Sequence, residues 1–135
     1  MEKKKKIILF LVIIASVVIS ILVYPYFSPL HIEEIDMYIT VGNYTGFNVN
    51  TSALFFGTVA KSGSSERYVV VTNEYSEELK VKINIKGELE DWTSLSEKKF
   101  MLEKNANKTV NVKVNIPPDV EFGDYTSTME IKFIR

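Results

Sequence analysis

Two stretches, Leu79-Lys80-Val81-Lys82-Ile83-Asn84-Ile85-Lys86 and Thr109-Val110-Asn111-Val112-Lys113-Val114-Asn115-Ile116, alternate apolar and polar side chains without a break. In an extended chain successive side chains point to opposite sides, so each stretch makes a strand with one apolar and one solvated face. Gly87 ends the first run, and Pro117-Pro118 ends the second by removing the donors a ladder needs. Outward from these two, strands are expected over Ile35–Val41, Leu54–Val59, Arg67–Thr72, Lys99–Leu102 and Tyr125–Ile134. Turn-forming residues separate them at Gly42-Asn43, Ser62–Ser65, Asn73–Glu77, Asn105–Asn107 and Asp119–Asp124.

No segment after Tyr24 keeps a helical period. About seven short strands in a stretch of about 100 residues predict an all-β fold, an immunoglobulin-like antiparallel β-sandwich. The alternating apolar residues supply its two inner faces, with Trp92, Leu95, Phe100 and Leu102 expected over one end. Phe55 and Phe56 are adjacent, so one is expected inside and the other outside.

The remainder of the 135-residue chain lies before this domain. Lys3, Lys4, Lys5 and Lys6 precede an uncharged run, Ile7 to Tyr24, whose 18 residues would span roughly 27 Å as a helix, close to a bilayer core of about 30 Å. Tyr24, Tyr26 and Phe27 suit the membrane boundary, and Pro25 and Pro29 are expected to end the helix. An uncleaved anchor is the preferred reading. A cleaved secretory signal is the alternative, but its apolar core would be shorter and an A-x-A cleavage site would follow. The expected organisation is a cytoplasmic basic tail at residues 1–6, a transmembrane helix at 7–24, a juxtamembrane linker at 25–31 and an extracytoplasmic sandwich at 32–135. Lysines on the N-terminal flank, with none after the span until Lys61, place the N-terminus inside. Ser16 and Ser20 form a small-xxx-small pair through which two spans could pack as a homodimer.

Charge and composition exclude several functions. Setting aside Glu2 and Lys3–Lys6 leaves 12 basic and 16 acidic residues, a net charge of −4, so no basic stripe remains to hold nucleic acid. With no Cys and one His, a thiolate or His-cluster metal site and a Cys nucleophile are absent. His31 sits at the membrane junction without a partner for nucleophile activation, and no G-x-S-x-G elbow accompanies it. No catalytic, cofactor-binding or metal-ligating residue is therefore assigned, and neither a cofactor nor a small-molecule substrate is expected. Acidic groups at Glu33, Glu34 and Asp36, at Glu88, Glu90 and Asp91, and at Glu121 and Asp124 lack the register of a calcium loop and read as solvated strand ends. Asn43, Asn50 and Asn107 begin Asn-x-Ser/Thr sequons near turns on the outer side and are candidate N-glycosylation sites.

Phe56-Gly57-Thr58-Val59, followed by Ser64-Ser65-Glu66-Arg67-Tyr68-Val69-Val70-Val71-Thr72-Asn73, resembles the opening of the Hydin-like and major-sperm-protein-like immunoglobulin folds. The later strand ending in Ile116-Pro117, and Gly123-Asp124-Tyr125 opening the last strand, are similar to the rest of that pattern. The resemblance covers Leu54 to Arg135 and implies a binding or structural module without catalytic residues. The layout of one tail, one span and one outer β-domain is similar to that of accessory proteins of the archaeal motility filament. Lys6 runs directly into Ile7 without the glycine of a pilin processing site, which favours an anchored accessory protein over a filament subunit. The frequent Lys, Glu and Ile are shared with thermophilic prokaryotes.

These readings converge on a non-catalytic, membrane-anchored module acting as an adhesion, scaffold or accessory protein at the cell envelope, with an envelope protein as partner. The alternatives are a small structural subunit of a membrane enzyme or transporter and, behind it, a carbohydrate-binding domain.

Overall fold

A computed structural model describes residues 1–43 and 53–135. Glu2–Phe27 forms one helix, α1, followed by eight strands. These are β1 (His31–Val41), β2 (Leu54–Val59), β3 (Ser64–Thr72), β4 (Leu79–Gly87), β5 (Thr93–Leu95), β6 (Lys99–Leu102), β7 (Asn107–Asn115) and β8 (Gly123–Ile134).

α1 is apolar on every side, and none of its residues is buried. It is long and apolar enough to cross a membrane. Two details differ from the sequence expectation. The helix takes up Lys3–Lys6, and it continues through Pro25 to Phe27. Pro25 lies two residues before the helix ends, so little helix follows it. The chain leaves the helix at Ser28, which is extended, and Ser28 caps the end by donating from both its N–H and its hydroxyl to the Tyr24 carbonyl, at 3.2 and 2.9 Å.

The strands form a five-stranded sheet in the order β2-β1-β8-β4-β6 and a three-stranded sheet in the order β3-β7-β5. The two expected alternating runs are β4 and β7, and their apolar residues Leu79, Val81, Ile83, Ile85, Val110, Val112 and Val114 are all buried. One core cluster contains buried residues from both sheets, with Met37, Phe56, Met129 and Ile131 among its largest side chains. Trp92 is half-buried against this cluster and meets Tyr125 edge-on at 4.9 Å. Phe56 points inward, whereas Phe55 lies outward and stacks on Tyr38 at 5.0 Å.

The count and direction of the strands need correction. Among the described residues there are eight rather than about seven, since Thr93–Leu95 pairs with β7 as β5. Nor is every pair antiparallel: β1 and β2 run parallel, with Met37 opposite Leu54 and Val41 opposite Val59. Side-chain alternation is the same in either direction and cannot reveal it. Residues 42–53, which separate the two strands, are about the dozen that a parallel return requires. The register slips between Tyr38 and Thr40 of β1, which stand opposite Phe55 and Thr58, so β2 holds one extra residue there in a bulge at Gly57, whose φ is 78°. The extra residue explains why Phe56 and Val59, three apart, both face the core.

Candidate interaction surface

β1 sets the geometry of the end nearest α1. Only Ser28, Pro29 and Leu30 separate helix from strand, and the Leu30 N–H already donates to the Phe133 carbonyl at 2.8 Å. β1 then pairs with β8 along its full length, from His31 opposite Phe133 to Val41 opposite Gly123. The β3–β4 and β6–β7 turns sit at this same end. They are joined by Asn73, which is fully buried. Its amide nitrogen donates to the carbonyls of Glu77, Leu102 and Glu103 at 2.8, 2.9 and 3.1 Å, sharing two hydrogens among three acceptors. Its side-chain oxygen accepts from the Tyr75 N–H at 3.0 Å.

A groove of about 580 Å³ opens at this end between the two sheets. His31, Glu33 and Phe133 line it from the five-stranded sheet, and Val70, Thr72, Glu74 and Tyr75 from β3 and the turn after it. The His31 ring leans on Phe133 with centroids 6.1 Å apart, so the lone histidine packs as an aromatic lid. Glu33 and Glu74 are exposed, and neither joins an ion pair among the described residues.

On the outward face of the five-stranded sheet, Glu130 of β8 is held between Lys86 of β4 and Lys132 of its own strand. Its side chain is 6% exposed. Lys86 donates to Oε2, while Lys132 Nζ lies 2.9 Å from Oε1 as an ion pair, off the direction of a formed hydrogen bond. Contact with Lys132, then with Lys86, holds the Glu130 carboxyl below its ordinary value against the opposing effect of burial. The same hydrogen bond raises Lys86.

Two of the acids expected as solvated strand ends make structural contacts. Asp124 accepts from the Thr40 hydroxyl at 2.6 Å, and Glu88 accepts from the Thr126 N–H at 2.9 Å. Glu33 and Glu34 alternate along β1 and so diverge to opposite faces. Among the described residues, no group of three or more His, Cys, Asp or Glu side chains is placed to hold a metal. Of the sequon residues, Asn43 is exposed in the bend after β1, and Asn107 is exposed at the first position of β7, opposite Thr72. Asn50 lies outside the described residues.

Sequence reasoning missed two features of this end. Asn73 read as a turn former, and nothing in its neighbours signals a fully buried amide. The groove arises from pairing between distant segments, so no local pattern announces it. Comparison with known proteins adds no neighbour: no family model, curated protein or solved structure matches the chain.

Proposed function

We propose that this is a single-pass membrane protein whose β-rich part, an immunoglobulin-like sandwich, stands outside the cytoplasm as a non-catalytic binding module of the cell envelope. The sandwich reading is supported by a core shared between two sheets, and by Tyr125, whose hydroxyl donates to the Glu121 carbonyl four residues upstream at 2.8 Å. Tyrosines at strand corners of immunoglobulin-type domains bond back in a comparable way.

The observation that carries the proposal is the junction. α1 has no buried face, so the β-rich part does not account for its apolar surface, and a bilayer does. Three residues then bring the first strand to the helix, which keeps the domain within reach of the membrane surface. Lys3–Lys6 before the span favour an inside N-terminus. A binding role rather than catalysis fits the polar side chains, since Asp124, Glu88, Tyr125 and Asn73 are each engaged in strand-end and turn contacts. The envelope partner, the resemblance to Hydin-like and major-sperm-protein-like domains, and an accessory role near a surface layer or motility filament belong to the same proposal. Glycosylation at Asn43 or Asn107 would accord with the outer location.

In-cell crosslinking of the full-length protein, followed by mass spectrometry, tests this reading. Reproducible links from the β-rich part to a second envelope protein are expected. Links confined to α1 and other integral proteins would move the assignment to a subunit of a membrane complex. Ser16 and Ser20 leave that route open, because both hydroxyls donate to their own helix, to Ile13 and Ser16 carbonyls at 2.8 Å, and so do not obstruct close helix packing.

A further inference from the structure

We infer that the half of β3 nearest α1, Tyr68–Thr72, is a docking edge for an extended, Lys- or Arg-bearing segment of a partner protein, whose cations enter the groove over Glu33 and Glu74. The inference rests on the binding-module reading and names its face and the chemistry of its partner.

β3 is the terminal strand of the three-stranded sheet. β7 pairs with one side of it. On the other side, β2 reaches only its beginning, where the Ser65 hydroxyl donates to the Phe56 carbonyl at 2.9 Å and Arg67 Nε to the Phe55 carbonyl at 2.8 Å. Beyond Arg67, among the described residues, no strand pairs with that side. Natural edge strands are usually guarded by charge, proline or a bulge. The short edge strand β6 opens on Lys99, and β2 carries the Gly57 bulge. Tyr68-Val69-Val70-Val71-Thr72 has none of these devices, and Tyr68 and Val70 are 66% and 60% exposed.

An added strand would present alternate side chains to its two faces. Those turned outward would lie beside Tyr68 and Val70, so apolar or β-branched residues fit there. Those turned inward would meet the groove, whose fixed charges are Glu33 and Glu74. Positive side chains complement them. A second copy of this chain fits poorly. Its own edge segment, Tyr68–Thr72, carries no Lys or Arg to meet Glu33 and Glu74.

The test uses the full chain in lipid nanodiscs and a dye-labelled peptide of alternating lysine and valine, acetylated and amidated, with a glutamate–valine peptide as control. Saturable binding of the lysine peptide is expected by fluorescence anisotropy, with backbone amide shifts centred on Tyr68–Thr72. Glu33→Gln with Glu74→Gln should weaken it about five- to tenfold, the summed effect of two exposed ion pairs. Glu90→Gln with Asp91→Asn, which removes the same charge elsewhere, should leave it unchanged. Reversal to Glu33→Lys with Glu74→Lys should transfer preference to the glutamate peptide. Both positions are exposed, so unchanged thermal unfolding verifies that each variant is folded. No binding, equal weakening by both neutralised pairs, or amide shifts away from β3 would overturn the inference. An envelope partner crosslinked instead to the outward face of the five-stranded sheet would also overturn it, while leaving the binding-module reading intact.

Discussion

On the outward face of the five-stranded sheet, Glu130 is clasped by Lys86 and Lys132, Lys82 and Lys80 continue along β4 opposite Lys132 and Ile134, and Tyr38 and Phe55 cover each other by stacking. The outward face of the three-stranded sheet pairs Glu66 with Lys113 near one end and then presents Tyr68 and Val70 bare. Both sheets turn an apolar face inward, so the contrast does not come from the demands of the core. One sheet carries charge along most of its outward face, with Ile32 and Met101 exposed apart from each other on β1 and β6, and the other leaves two neighbouring apolar side chains on an open edge, where burial would be gained on association.

Substitutions can break or sharpen this contrast. The largest effect is expected inside the five-stranded sheet. Ile131 is 1% exposed in β8, between β1 and β4, and Ile131→Ala should cost about 2–5 kcal/mol in denaturant unfolding, by lost burial plus the cavity left behind. Asn73→Ala should cost about 2–3 kcal/mol, because several backbone groups at the end nearest α1 lose a buried partner together. A loss well under 1 kcal/mol would mean that the two turns hold without it.

The ion-pair cluster predicts a pH signature. Glu130 is held below its ordinary value of 4.5, so its stabilising contribution is present above that value and is lost as pH falls through the lowered one. Lys86 is raised above 10.5, so its contribution is present below that value and is lost as pH rises through the raised one. Glu130→Gln should therefore melt below the wild type at about pH 6, and the gap should narrow on acidification below 4.5. A gap independent of pH would assign the difference to packing.

The smallest effect is expected on the bare strip. Val70→Ala removes an exposed side chain, so it should change stability by no more than about 0.5 kcal/mol. A larger loss would show that Val70 supports the fold, and the contrast between the faces would weaken.

How far the sequence discloses this architecture depends on the kind of information involved. β4 and β7 are legible because their alternation is complete, and β2 and β6 have the same bounds in sequence and structure. The first part of β1 is not legible because His31 sits at the membrane junction and Glu33 and Glu34 break the apolar pattern, and pairing with β8 makes them strand. β5 was hidden by its brevity, three residues recruited by β7. The parallel β1–β2 pair, the Asn73 staple and the groove are products of long-range pairing, which a periodicity carries no record of. The apolar helix, by contrast, needs no partner to be recognised. Glu33 and Glu74, which face the groove, can be told from the other acids only once β1 and β3 are placed together.

The proposed binding module would meet its partner through the bare strip and not through the charged face. The most direct measurement places a photo-crosslinking amino acid at Val70 in one strain and at Lys82 in another, each in full-length protein in its native host. A discrete adduct to one envelope protein is expected from position 70, mapped to an extended basic segment, and none from position 82. The same adduct from position 82 alone, or adducts from position 70 only to cytoplasmic proteins, would contradict it.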